Sequence, residues 1–208
     1  MRSILILDTS PRREAVSRAL SKRFCDAWRA KHPDASIVYR DVGGAPPEHL
    51  DDELIDALRR SPPELNERQQ AAVTASDTMI AELDAADVIV VGAPMHNFTI
   101  SGALRTWIDH VARPGKTFAY IKDKGIQGLL TDKPVIVLST RGGDYGDGDP
   151  QNPNPADFQT GYLRHIFGFM GLRDVRIIAA NGLDMGGDAR KQGMTAAERA
   201  IDAAVDQL

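Results

Sequence analysis

Three short segments of the chain carry the residue types that could hold a polar, anionic, ring-bearing ligand. The first, DTSPRREAVSRAL, supplies Ser10, then Ala15, Val16 and Ser17 where a helix would begin. Hydroxyls together with unpaired backbone N–H groups at a helix N-terminus suit a phosphate monoester. The segment has neither G-x-G-x-x-G nor a Walker pattern, so it forms no standard dinucleotide or NTP loop. The second, APMHNFTIS, offers Met95, His96, Asn97 and Phe98. The third, TRGGDYG, offers Thr140, Arg141, Gly142 and Gly143. Backbone donors, an amide and apolar surfaces suit a flat heterocycle with polar edges. Two adjacent glycines suit close approach of the backbone to it. Phosphate at one end and a planar polar ring at the other describes FMN. No side chain is required as a covalent catalyst, and the single Cys25 leaves neither a disulfide nor a Cys-based metal site to consider.

The elements that position these segments are visible as alternation. SILILD (3–8), SIVYRD (36–41), DVIVVG (87–92), PVIVLS (134–139) and DVRIIAA (174–180) have the lengths and β-branched content of strands. Four are nearly continuous in hydrophobicity, as strands covered on both faces must be. Between them Val16, Leu20, Phe24, Ala27 and Trp28 recur at helical spacing, as do Ile100, Ala103, Leu104, Trp107, Ile108 and Val111. A capping box at Thr195 and Glu198 predicts the start of a C-terminal helix with Ile201, Ala204, Val205 and Leu208 on its stripe. A short helix is expected over 51–58. Strand–helix alternation implies right-handed crossovers and an α/β three-layer fold with a doubly wound parallel five-stranded sheet. In the order 2-1-3-4-5, ligands sit beyond the strand ends at the switch between strands one and three, where the three segments fall. The expectation is one domain over 1–208. Two Pro- and Gly-rich stretches, 43–67 and 142–160, interrupt the alternation.

Composition bounds the partners. A net charge of -4 without a basic block argues against nucleic acid, and no apolar run is long enough for a bilayer or a signal peptide, so a cytoplasmic protein is expected. A phosphorylatable receiver domain shares the topology. It needs an Asp ending strand three and a Lys after strand five, and this chain has GAPMHN and AANG there. His110 and His165 fall within helical patterns and read as structural.

The segments ILILDTSPR, ADVIVVGAPMHNFTIS, LRTWIDHVARPGKTFAY, GLLTDKPVIVLSTRGG and YLRHIFGFMGLRDV resemble the FMN-dependent NADH-azoreductases, also described as FMN-dependent NADH:quinone oxidoreductases, a flavodoxin-like family. PM-x-NF-x-IS and RPG-x-TF-x-Y are the most specific blocks. The resemblance implies one non-covalent FMN per subunit, contacted by Ser10, Ala15–Val16–Ser17, Met95–His96–Asn97–Phe98 and Thr140–Arg141–Gly142–Gly143. It implies NADH or NADPH as donor, quinones and aromatic azo compounds as acceptors, and a homodimer with FMN at the interface. There Phe118, Tyr120 and Phe169 would cover flavin and substrate. Without the resemblance, Phe169 reads as core, and Phe118 and Tyr120 as exposed loop aromatics. This chain departs from the family at His96, usually Tyr; at Ala15 and Ser17, often two serines; at Asn181, often Glu; and in a longer stretch over 144–159. An electron-carrying flavodoxin and a nitro- or chromate-directed reductase are the alternative readings.

Overall fold

A computed structural model describes residues 2–60 and 62–208. The chain runs β1 (Ser3–Asp8), α1 (Val16–Lys31), β2 (Ser36–Asp41), α2 (Asp52–Ile55), α3 (Glu67–Ala85), β3 (Val88–Pro94), α4 (Gly102–Val111), β4 (Phe118–Ile121), β5 (Gly125–Gly128), β6 (Val135–Thr140), α5 (Phe158–Met170), β7 (Val175–Ala180) and α6 (Gly187–Gln207). Strands β2-β1-β3-β6-β7 form one sheet in which every neighbouring pair is parallel. Counted along that sheet alone, this is the order 2-1-3-4-5.

Strand residues alternate strictly between two cores. Leu5, Leu7, Ile89, Val91, Val135 and Val137 pack with Met79, Leu83, Leu104, Trp107, Leu163 and Phe167 of α3, α4 and α5. Ile4, Ile6, Val88, Val90, Ile136 and Leu138 pack with Leu20, Phe24, Trp28, Ile201 and Val205 of α1 and α6. Side chains of period two, apolar at every position, explain why these strands lack a polar face. The edge strand β2 is mostly exposed or half-buried, in keeping with its Arg and Tyr.

Three local expectations require correction. The C-terminal helix starts at Gly187, not Thr195, so Thr195 and Glu198 lie within it and cap nothing. Gly186, at φ 73°, supplies the turn into it, a conformation that favours glycine. The segment after Asp51 is one α-turn followed by a π-helical turn, Asp56–Arg60, rather than a single helix to Leu58. Here Arg59 reaches the carbonyls of Asp109 and Ala112 at the end of α4, and that tertiary anchor outweighs helical regularity. Phe118 and Tyr120 lie not in a loop but in an antiparallel hairpin, β4–β5, whose turn carries Asp123 at φ 67° and Gly125 at φ 72°.

Candidate functional site

The loops after β1, β3 and β6 meet at one end of the sheet. A cavity of about 340 Å³ there is lined by Ser10, Ala15, Val16, Met95, His96, Thr140, Arg141 and Gly142, with Arg12, Glu14, Pro94, Leu183, Asp184 and Arg190 completing its wall. Its size suits a small-molecule site. Asn97, Phe98 and Gly143 adjoin these residues in sequence, and Ser17 lies beneath, fully buried.

At the α1 end, the N-cap Ala15 makes no side-chain cap bond and the first turn holds no acid. The Val16 and Ser17 N–H groups have no partner among the described residues, and the buried Ser17 hydroxyl has none either. Asp51, Asn66, Ser101 and Asp157, by contrast, cap α2, α3, α4 and α5. Open donors at the positive end of a sixteen-residue helix form an anion cradle.

The shape of that cradle is set by Arg18, which sequence reasoning missed. Its Nη2 donates to the Ser10 carbonyl at 2.8 Å and its Nε to the Arg12 carbonyl at 3.0 Å. The guanidinium is anchored behind by Asp41 at 2.5 Å and by the Tyr39 hydroxyl at 3.0 Å. Tyr39 in turn donates to Asp8 at 2.9 Å. Burial raises the Asp8 carboxyl above its usual range against the pull of Ser21, Tyr39 and Arg18. Burial and the nearby Asp8 carboxylate push the Tyr39 phenol up to about 12. Gly43 closes the same corner, for a Cβ there would stand 2.0 Å from the Ser10 carbonyl oxygen.

At the β3 end the chain makes a tight turn. His96 and Thr99 exchange backbone hydrogen bonds at 2.9 and 3.0 Å, with Asn97 at φ 47° and Phe98 at φ 70° between them. Left-handed geometry is tolerable for Asn but costs a bulky residue on the order of 1–3 kcal/mol. The Met95 N–H is spent on Thr140, continuing the β3–β6 pairing, and the His96 N–H on Thr99 within the turn. Neither is available to a ligand, so the backbone donors expected of this loop are those of Asn97 and Phe98. Asn97, Phe98, Gly142 and Gly143 have N–H groups without a partner among the described residues. His96 therefore has only its exposed side chain to offer.

Arg141 also turns out differently from a simple ligand contact. Its side chain is buried and points inward, with Nε on the Ser139 hydroxyl at 2.8 Å, Nη1 on the Gly146 carbonyl at 3.1 Å and Nη2 paired with Asp157 at 3.0 Å. Desolvation lowers its pKa from the usual arginine value, with Asp157 opposing the shift. Gln159, buried beside it, accepts from Ser139 at 2.5 Å and donates to the Ala93 carbonyl at 3.2 Å. Asp157 and Gln159 are thus the second set of supports the sequence did not reveal.

Phe118 and Phe169 pack with their rings tilted by 52° at 4.5 Å between centroids, and neither lines this cavity. The helix α5 starts beside Phe98 and ends near the first residues of β6 and β7, and Leu130, just after the hairpin, bonds the Met170 carbonyl at that far end. The hairpin and its Tyr120, 77% exposed, therefore sit at the opposite end of the sheet from their own chain's cavity. His110 is buried with Nε2 on the Glu48 carbonyl at 2.7 Å, while His165 is exposed, and neither lines the cavity. No helix among the described residues is long and apolar enough to cross a membrane.

The flavodoxin-like fold family model matches residues 2–205. An FMN-dependent NADH:quinone oxidoreductase of Azotobacter vinelandii is 41% identical over 97% of this chain and 98% of its own length. A second, from Pseudomonas fluorescens, is 42% identical over 95% and 96%. The chain belongs to the flavodoxin-like FMN-dependent NADH:quinone oxidoreductase family. A solved structure of an azoreductase from Bacillus anthracis shares the fold of this family member over the full length of both chains, at a TM-score of 0.87 and 26% identity. The three cavity-lining loops of the family member fall at the β1/β3 switch point that this topology creates.

Proposed function

We infer that the protein is an FMN-dependent NADH:quinone oxidoreductase that also cleaves aromatic azo compounds to amines, acting as a single domain over 1–208. The observation that carries the site assignment is the pairing of unspent donors on the α1 terminus with others on the β3 and β6 loops, the elements that line one cavity. Val16 and Ser17 N–H groups stand at the α1 terminus, and Asn97, Phe98, Gly142 and Gly143 N–H groups at the β3 and β6 loops. This fits a phosphate at one end and a polar ring edge at the other. FMN, when bound, supplies two-electron hydride chemistry between a nicotinamide donor and an aromatic acceptor.

The chain's own residues bind and orient. Val16 and Ser17 would hold the phosphate, with Arg18 and Gly43 fixing the curvature of the Ser10–Arg12 loop. The unspent N–H groups at 97, 98, 142 and 143 would serve a polar ring edge, as preorganised donors for charge that accumulates on reduction. Thr140 and the inward Arg141 hold the loop that presents Gly142 and Gly143. Ser10, Ala15, Met95 and His96 complete the wall. No side chain acts as nucleophile. With donor and acceptor binding in turn, a quinone would consume one NADH and an azo bond two.

The reading includes a homodimer. Tyr120, Ile121, Ile126 and Leu129 leave an apolar hairpin uncovered at 77, 39, 54 and 45% exposure. A patch of this kind marks an interaction surface. Since Phe118, Tyr120 and Phe169 lie remote from their own cavity, they serve the flavin site only from the partner subunit. Steady NADH oxidation with a benzoquinone by FMN-loaded protein tests the proposal, and NADPH in parallel fixes the donor. Yellow protein that takes two electrons and then stops would favour an electron carrier instead.

A further inference from the structure

The excursion between β6 and α5, residues 144–157, has no regular structure, yet both its ends are tied down. Near its start, the Gly146 carbonyl accepts from Arg141 at 3.1 Å and from Asn181 Nδ2 at 2.7 Å. Midway, the Gly148 carbonyl accepts from Arg164 at 3.1 Å, and Gly148 packs on Ile177. At its end, Asp157 caps α5 through Gln159 and Thr160 and pairs with Arg141. These supports are fixed to β6, β7 and α5, so the excursion is part of the frame.

Two contacts then leave this frame for the strained turn at Asn97–Phe98. The Phe158 N–H donates to the Phe98 carbonyl at 3.1 Å. The Tyr145 ring meets the Phe98 ring edge-on at 6.1 Å and 80°. A phenylalanine at φ 70° relaxes unless its surroundings hold it. We propose that residues 144–158, the excursion together with the first residue of α5, are a strut that holds the Asn97–Phe98 turn in its left-handed conformation, with Phe158 as the positioning residue through its backbone N–H. The consequence for the flavin rests on the function proposed above: the strut presets the Asn97 and Phe98 N–H groups toward the ring edge before any ligand arrives.

The attachment is separable because Phe158 is the first residue of α5. Proline is tolerated at that position, and Asp157 caps through later N–H groups that a proline leaves untouched. Phe158→Pro therefore deletes the bond to Phe98, whereas Phe158→Ala deletes only an exposed ring. Amide hydrogen exchange in the flavin-free full chain reads the turn directly, since the His96 and Thr99 N–H groups bond across it. In Phe158→Pro these two amides are expected to exchange at least about tenfold faster than in Phe158→Ala. FMN and riboflavin affinities should fall together by about tenfold, as a ring-edge defect ignores the phosphate. Asn181→Ala, which removes one of the two bonds to the Gly146 carbonyl without touching α5, should shift exchange the same way by a smaller factor and serves if the proline variant fails to fold. Equal exchange in the proline and alanine variants, or an unchanged turn in Asn181→Ala should that variant have to decide, would overturn the strut. Failure of the wild-type chain to bind FMN would overturn the function instead, while the exchange comparison still decides the strut.

Discussion

Arg18 spends its whole guanidinium on positioning, with two donors on loop carbonyls and the rest on Tyr39 and Asp41. Arg18→Lys keeps the charge but loses the planar fork. It is expected to weaken FMN binding about tenfold, and riboflavin binding far less, by fluorescence titration. A parallel loss for both ligands would place Arg18's influence elsewhere. His110 makes a second residue-level case. Its Nε2 must donate to the Glu48 carbonyl and its Nδ1 has no partner, and burial holds its pKa below the ordinary 6.5. The unfolded chain therefore takes up a proton near pH 6.5 that the folded chain refuses. Stability contributed by the neutral imidazole is complete above that pH and declines as pH falls toward the folded value. Thermal melts of His110→Gln should show a shallower loss between pH 7 and 5 than wild type, and parallel curves would contradict this. His96→Tyr should leave FMN affinity within about twofold, because the donors assigned to the ring edge come from Asn97, Phe98, Gly142 and Gly143 and not from His96.

At the scale of elements, the sheet and both helical layers were legible because apolar strands and helical stripes are local signals. The bounds of 3–8 and 36–41 match, while β3 and β6 each start one residue later and end two and one residues later than the pattern assigns. The hairpin was missed because FAYI and GIQG are short, and their K-D-K-G turn does not follow the usual two-residue types. The displaced start of α6 has a different cause. A capping-box spelling is common within helices, and only the geometry at Gly186 marks the true entry. The three site loops were found from residue type and strand end. Arg18, Gly43, Asp157 and Gln159 were not, because their roles rest on contacts distant in sequence. Gly43→Ala tests this layer. With a Cβ 2.0 Å from the Ser10 carbonyl, it should displace the loop and weaken FMN binding by tenfold or more. Gly102→Ala, where a Cβ meets nothing within 4 Å, should be neutral.

At the scale of the molecule, the cavity and the hairpin lie at opposite ends of one sheet, so in the proposed homodimer the aromatic residues of the hairpin would reach the cavity of the other subunit. Tyr120→Arg places a charge on the exposed apolar hairpin. By sedimentation it should shift the protein toward monomer, and quinone turnover should fall with it while FMN stays bound. A variant that stays dimeric and fully active would remove the hairpin from the interface. The central claim, catalysis through a flavin held by these loops, is met most directly by steady-state kinetics. Purified FMN-loaded protein should oxidise NADH continuously with benzoquinone, one NADH per quinone, with parallel double-reciprocal lines as the second substrate varies. A bound yellow flavin that accepts electrons from NADH but passes none to the quinone would contradict the account.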